Sequence, residues 1–236
     1  MHIGILVTNT DESDFAKAHP KDGEKFCELL QPLRPDWTFE AIAVKDGVFP
    51  DRLDSFDGFV ITGSPASAAG NDPWIIKLMD TIRDIDAKKI PTVGICFGHQ
   101  VIGRAFGGEV GKNPGGWGFG ISPTHFSRSE NWMEPKTETL NLYAAHSEQL
   151  LKAPARAVIL GGDSFCAVGS YKIGNHIFTT EYHPEMTPKF ISSLADEIEP
   201  YIGTEHAREA KKDISAKPAD GKIFAQWMVN FFEMKR

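Results

Sequence analysis

The stretch Pro91-Thr92-Val93-Gly94-Ile95-Cys96-Phe97-Gly98-His99-Gln100 runs directly into Val101-Ile102-Gly103-Arg104-Ala105-Phe106. The first five residues read as a short buried strand and the last six as helix, so strand gives way to helix almost without a turn. Gly94-Ile95-Cys96-Phe97-Gly98 has the G-x-nucleophile-x-G form of a nucleophile elbow, with cysteine where hydrolases of another family carry serine. The flanking glycines permit the sharp turn that lifts a side chain above a sheet edge. A helix beginning just after it brings partial positive charge to the sulfur and favours thiolate, and the Phe97 N–H is directed toward a developing oxyanion. The bland alternative is a buried filler, because free cysteine packs as a small apolar residue.

An elbow needs a parallel sheet around it, and the preceding sequence supplies the strands. His2 to Thr8 is a short apolar run closed by Thr, Asn and Asp; Thr38 to Val44 carries strand-type residues; Gly58 to Thr62 is a second buried run. Between the first two, Phe26, Leu29, Leu30 and Leu33 recur at helical spacing. Before the elbow strand, Trp74, Ile75, Leu78, Ile82 and Ile85 share one helix face, with Asp72 placed as N-cap and Pro73 at the first helical position.

Beyond Gly107 the pattern changes to glycines, aromatics and short strand candidates up to Tyr143, including Asn113-Pro114-Gly115-Gly116-Trp117-Gly118-Phe119-Gly120. Runs at Ala157–Leu160 and Ala167–Ile173 lead through Gly174-Asn175 into His176–Thr180, a hairpin signal. From Pro188 the chain reads as helical. Ile223, Phe224, Trp227, Met228, Phe231 and Phe232 form an apolar stripe expected to close the chain's own core, while Gly203 to Gly221 is polar and reads as a mobile excursion.

A thiol nucleophile needs a base, and Glu181-Tyr182-His183-Pro184-Glu185 offers one after a predicted strand, with a carboxylate two residues on. His183 would take the thiol proton and return it to a leaving amine, and Glu185 would orient the imidazole. A surface pair, or a metal site drawn from Cys96, His99, His183 and Glu185, is the alternative; Cys-x-x-His without a second ligand pair is thin support for a metal.

Composition limits the function classes. A chain of 236 residues with 41% apolar and 24% charged residues suits one large soluble α/β domain spanning 1–236. A net charge of -7 gives no basic field for nucleic acid or anionic membrane. The first residues lack a basic, apolar leader pattern, and three cysteines are a poor disulfide framework, so a cytoplasmic setting is expected.

Gly94-Ile95-Cys96-Phe97-Gly98-His99-Gln100 together with His183-Pro184-Glu185 closely resembles the class I glutamine amidotransferases. The resemblance extends through Thr62-Gly63-Ser64-Pro65, Asn71-Asp72-Pro73-Trp74, Gly107-Gly108 and Asn113-Pro114-Gly115-Gly116-Trp117, covering roughly residues 1–190, with 191–236 a helical extension. Within that family the chain looks like the free-standing branch related to the glutaminase domain of GMP synthase, whose plant relatives include γ-glutamyl peptidases.

The resemblance implies an α/β fold of the flavodoxin-like, three-layer kind: a mostly parallel open sheet with helices on both faces. It implies Cys96 as nucleophile, His183 as base and Glu185 as orienting acid, backbone N–H groups of Gly63 and Phe97 as oxyanion donors, and Gln100, His146 and Ser147 near the glutamyl group. His99 belongs to the signature and reads as a structural histidine of the elbow helix. Two positions depart from the family pattern: Ser64 in the glycine-rich loop, and Glu181 where glutamine is common.

The implied reaction is hydrolysis of a glutamine or γ-glutamyl amide, with no cofactor or metal. No phosphate-binding G-x-x-x-x-G-K-[ST] loop is present to run a synthetase reaction. Two other readings stay open: a glutaminase subunit delivering ammonia to a separate synthetase, and a catalytically silent binding or regulatory module.

Overall fold

In the computed structural model, which describes residues 1–234, the apolar runs become strands because helices cover both of their faces. The parallel strands are β1 (His2–Leu6), β2 (Thr38–Ile42), β3 (Gly58–Ile61) and β4 (Thr92–Ile95). They are followed by β5 (Glu109–Lys112), β6 (Gly118–Phe126), β7 (Thr139–His146), β8 (Glu148–Lys152), β9 (Ala157–Gly162), β10 (Ser170–Ile173) and β11 (Ile177–Thr180). The helices are α1 (Asp14–Lys17), α2 (Asp22–Leu30), α3 (Pro73–Lys88), α4 (Phe97–Ala105), α5 (Pro188–Glu197), α6 (Glu199–Ile202), α7 (Thr204–Ala216) and α8 (Gly221–Glu233).

The main sheet has the order β2-β1-β3-β4-β11-β10-β9-β6-β7, and β5 pairs separately with β8. From β2 to β11 every neighbour is parallel, the doubly wound 2-1-3-4-5 order; from β11 to β7 every neighbour is antiparallel. The α/β fold with an open sheet and helices on both faces is as expected, and an antiparallel half extends the parallel one. The strands after Gly107 return as hairpins, because their connections are too short for helical crossovers.

Alternate residues of each central strand feed opposite cores. Ile3, Ile5, Val60, Val93 and Ile95 pack with α2 and α8, whereas Leu6, Phe59 and Ile61 pack with α3 and α4. A third cluster joins Phe119 and Tyr143 to α5 and α7. Pro73 opens α3 as expected, although the Asp72 side chain makes no capping hydrogen bond. The Gly174-Asn175 hairpin forms, with Gly174 at φ 58°.

Two expectations about the C-terminal region end differently. The stripe of α8 does close the core: Phe224, Trp227, Met228 and Phe231 are buried, and Phe224 stacks on Phe178 of β11 at 5.1 Å. The Gly203–Gly221 segment, however, is largely the ordered helix α7, docked on α5 and β6 through Ala207, Ala210 and Ile214. Two alanines and one isoleucine among charges are too small an apolar signal to read as a buried face, yet small residues allow close helix approach. Trp227 is fully buried and its indole N–H donates to the Pro135 carbonyl at 3.0 Å. Trp227→Ala is expected to lower stability by about 3–5 kcal/mol, read from urea unfolding midpoints; a change below about 1 kcal/mol would show that α8 is not part of the core.

Candidate active site

Cys96 lies between β4 and α4 at φ 50°, ψ −107°, outside the regions that L-residues ordinarily occupy. Neighbouring strands hold this conformation: Cys96 N–H donates to Thr180 O at 2.8 Å and Gly98 N–H to Thr62 O at 3.1 Å. Such over-determined strain is the backbone form of a nucleophile elbow. The glycine frame is a matter of space. A Cβ on Gly98 would sit 2.3 Å from Ile61 O, and one on Gly94 2.8 Å from Gly98 O. Gly98→Ala is therefore expected to cost about 3 kcal/mol of stability by thermal or urea melting, since backbone rather than a mobile side chain must move. An unchanged melt would mean that the elbow packs more loosely than these distances.

β11 lies beside β4, so the segment leaving it passes next to the elbow. Glu181, Tyr182 and His183 follow directly, and His183 N–H donates to Tyr143 O of β7 at 2.8 Å, which pins the segment at both ends. His183 Nδ1 is 2.7 Å from Glu185 Oε1, and both side chains are buried. With Nδ1–H given to the carboxylate, Nε2 presents a lone pair, and it has no other partner. Where a Cβ on Gly63 would sit, His183 Cε1 is 2.9 Å away and Cys96 Cβ 3.6 Å away. Cys96, His183 with Glu185, and the Gly63 backbone thus converge on one spot at the carboxyl ends of β3, β4 and β11.

The Gly63 loop is set by a residue that carries no motif. Thr8, beyond the carboxyl end of β1, donates its hydroxyl toward Thr62 O (2.9 Å) and Gly63 O (3.0 Å), and its N–H donates to Thr62 Oγ1 at 3.0 Å. The one sequence signal for it is positional, a polar residue ending a buried strand at the sheet's switch point.

The thiol environment differs from expectation. Burial pushes Cys96 well up, the Glu181 and Glu185 carboxyls add to the rise, and only the Phe97 N–H pulls it down. Desolvation outweighs the helix N-terminus, so in this arrangement the sulfur is a thiol rather than a standing thiolate.

The expected substrate contacts are partly committed internally. Gln100 donates both amide hydrogens inward, to Glu148 O at 2.8 Å and Glu181 Oε1 at 2.7 Å, leaving its side-chain oxygen. His146 Nδ1 faces Glu148 O at 3.1 Å, and its buried Nε2 has no partner. Burial depresses His146 to about 4, so it is neutral at ordinary pH. Ser147 O accepts from Asn113 N–H at 2.9 Å, tying the Asn113–Trp117 loop to this edge. His146 and Tyr182 border a cavity of about 430 Å³ walled by Trp117, Phe119 and Phe165. Another cavity, about 480 Å³, lies between the ends of β1 and β2 and Phe190, and Cys96, His183 and Glu185 line neither cavity. Among the described residues no three His, Cys, Asp or Glu side chains are grouped to hold a metal ion, and no helix is long and apolar enough to cross a membrane.

A doubly wound sheet carrying a cysteine on a strained elbow, beside a carboxylate-bound histidine, defines a class of α/β proteins with a cysteine–histidine–carboxylate site. Residues 34–193 match the family model "Glutamine amidotransferase class-I", and the chain belongs to the class I glutamine amidotransferases. It is 30% identical over 205 residues to γ-glutamyl peptidase 3 of Arabidopsis thaliana, covering 83% of this chain and 82% of that one. It is 27% identical over 164 residues to one subunit of the glutamine-hydrolysing GMP synthase of Archaeoglobus fulgidus, covering 69% of this chain and 84% of that one. The fold matches a glutamine amidotransferase from Thermotoga maritima with a TM-score of 0.76 at 17% identity, over 99% of this chain and 98% of that one.

Proposed function

We propose that this chain hydrolyses the γ-amide of glutamine or of a γ-glutamyl compound through a glutamyl thioester on Cys96. The observation that carries the reading is the convergence of Cys96 with the His183–Glu185 pair beside Gly63. His183 Nε2 takes the thiol proton as the sulfur attacks the γ-carbonyl carbon. The carbonyl electron pair moves to oxygen, where the N–H groups of Gly63 and Phe97 receive it. Collapse of the adduct breaks the C–N bond, and the His183 imidazolium hands its proton to the departing ammonia or amine. Water, deprotonated by the same imidazole, then attacks the thioester and releases glutamate and thiol. Glu185 holds the ring in the tautomer that each transfer requires. Gln100, His146 and Ser147 are assigned to the glutamyl group, His146 because its neutral, unpartnered Nε2 can accept a hydrogen bond there.

The high resting position of the thiol accords with this cycle. A sulfur that ionises only when His183 and substrate are both in place is protected from oxidation between turnovers. Free thiols at Cys27, Cys96 and Cys166 accord with a reducing, cytoplasmic setting.

The relative from the archaeal GMP synthase favours a second reading, a glutaminase that supplies ammonia to a separate synthetase. Release of glutamate by the purified chain from glutamine, glutathione and a panel of γ-glutamyl amides separates the two. Unaided turnover of one of them supports the stand-alone hydrolase; turnover only with an added synthetase supports the second. No turnover under either condition leaves a silent binding module and overturns both.

A further inference from the structure

Glu181 is wholly buried behind the elbow, and its carboxyl is among the groups that act on the Cys96 thiol. Its Oε1 accepts from Gln100 Nε2 at 2.7 Å. Its Oε2 faces His99 Nε2 at 3.5 Å, and neither atom has another partner. The hydrogen bonds around His99 fix the tautomer of its neutral ring. Thr179 Oγ1 donates to Tyr171 O at 3.1 Å, so it must accept from His99 Nδ1, 2.9 Å away. Burial depresses His99 to about 3, so the ring is neutral and Nε2 is its lone pair. Two buried lone-pair atoms aimed at each other repel unless a proton sits between them.

We propose that Glu181 is a positioning residue kept as a neutral carboxylic acid, its Oε2 proton directed at His99 Nε2, so that the Cys96 thiolate forms beside an uncharged group. The other surroundings agree. Burial pushes the Glu181 carboxyl well up, and Glu148 on β8 adds to this, against the pull of Gln100 and Cys96. Burial, with His146 alongside, depresses His99 to about 3 although the Val168 carbonyl opposes it. His146 approaches Glu181 at 3.9 Å but is itself depressed to about 4, so it brings no charge. Cys166 and Tyr171, which also feel Glu181, are both pushed up by burial and stay neutral. Among the described residues, none of the groups acting on Glu181 is a lysine or arginine. A charged Glu181 would stand with Glu185 against the thiolate; a neutral one leaves Glu185 as the single carboxylate of the reacting group, already engaged by His183.

The proposal rests on Cys96 being the reacting thiol, and its test does not depend on which substrate is turned over. Infrared spectra of folded protein in D2O near neutral pH are expected to show the C=O band of a buried protonated carboxyl, absent from E181Q. Alkylation of Cys96 by iodoacetamide, followed against pH with C96A as control, is expected to agree within about twofold between wild type and E181Q, because a neutral amide replaces a neutral acid. A missing band overturns the proposal. So does alkylation about tenfold faster in E181Q at neutral pH, the signature of a removed negative charge. If E181Q fails to fold, the wild-type spectrum decides alone: a band that vanishes on unfolding sustains the proposal, and its absence ends it.

Discussion

Cys96→Ala is expected to reduce glutamate release by about 10,000-fold or more while the protein stays folded. The size follows from the chemistry. Without sulfur no thioester forms, and the polar groups around Gly63 and His183 are left to assist water alone. The fold should tolerate the change, because alanine keeps the Cβ and so meets no more strain at φ 50° than cysteine does. Loss of one buried sulfur costs about 1 kcal/mol. The comparison is made on purified variants with matched circular dichroism and melting curves. Activity within tenfold of the parent would sink the nucleophile assignment, and lost activity with a lost fold would require repeating the test with serine.

His183→Ala carries the next largest effect, about 1,000-fold in kcat, and should clearly exceed that of Glu185→Ala, expected at about 30-fold. In the proposed cycle His183 moves the proton in both halves, whereas Glu185 touches only Nδ1, at 2.7 Å. Removing the carboxylate leaves an imidazole that is still tethered through His183 N–H to Tyr143 O, so much of the placement survives. Equal or inverted losses would contradict the roles. In particular, a Glu185 effect as large as that of His183 would mean that the imidazole loses its place altogether without the carboxylate.

The elbow, the buried strands that precede it and the histidine–carboxylate pair are legible because each rests on local rules. Glycines are needed where a Cβ would meet backbone, and apolar runs are short where both faces are covered. Less can be read where the outcome depends on residues far apart in the chain. The helix behind Cys96 argues for thiolate, whereas burial among residues distant in sequence decides for thiol. The motif places Gln100 toward substrate, but its amide hydrogens go to Glu148 and Glu181. Thr8 gains its role only by meeting Thr62 and Gly63 in the folded chain. Helix α7 is hard to see because its buried face is made largely of alanines, whose apolar signal is weak.

Strand β11 inserts between β4 and β10, although β4 and the elbow precede it by about eighty residues in the chain. A nascent chain that has emerged only through α4 has its cysteine, an open sheet edge and no base. Pairing over so long a loop is slow, because the entropy of closure must be overcome before the contact is gained. When β11 docks, it seals the edge of β4 and carries His183 and Glu185 to the sulfur in the same event. Under the proposed mechanism hydrolytic competence therefore waits on this docking: fragments and stalled chains hold the thiol without its base.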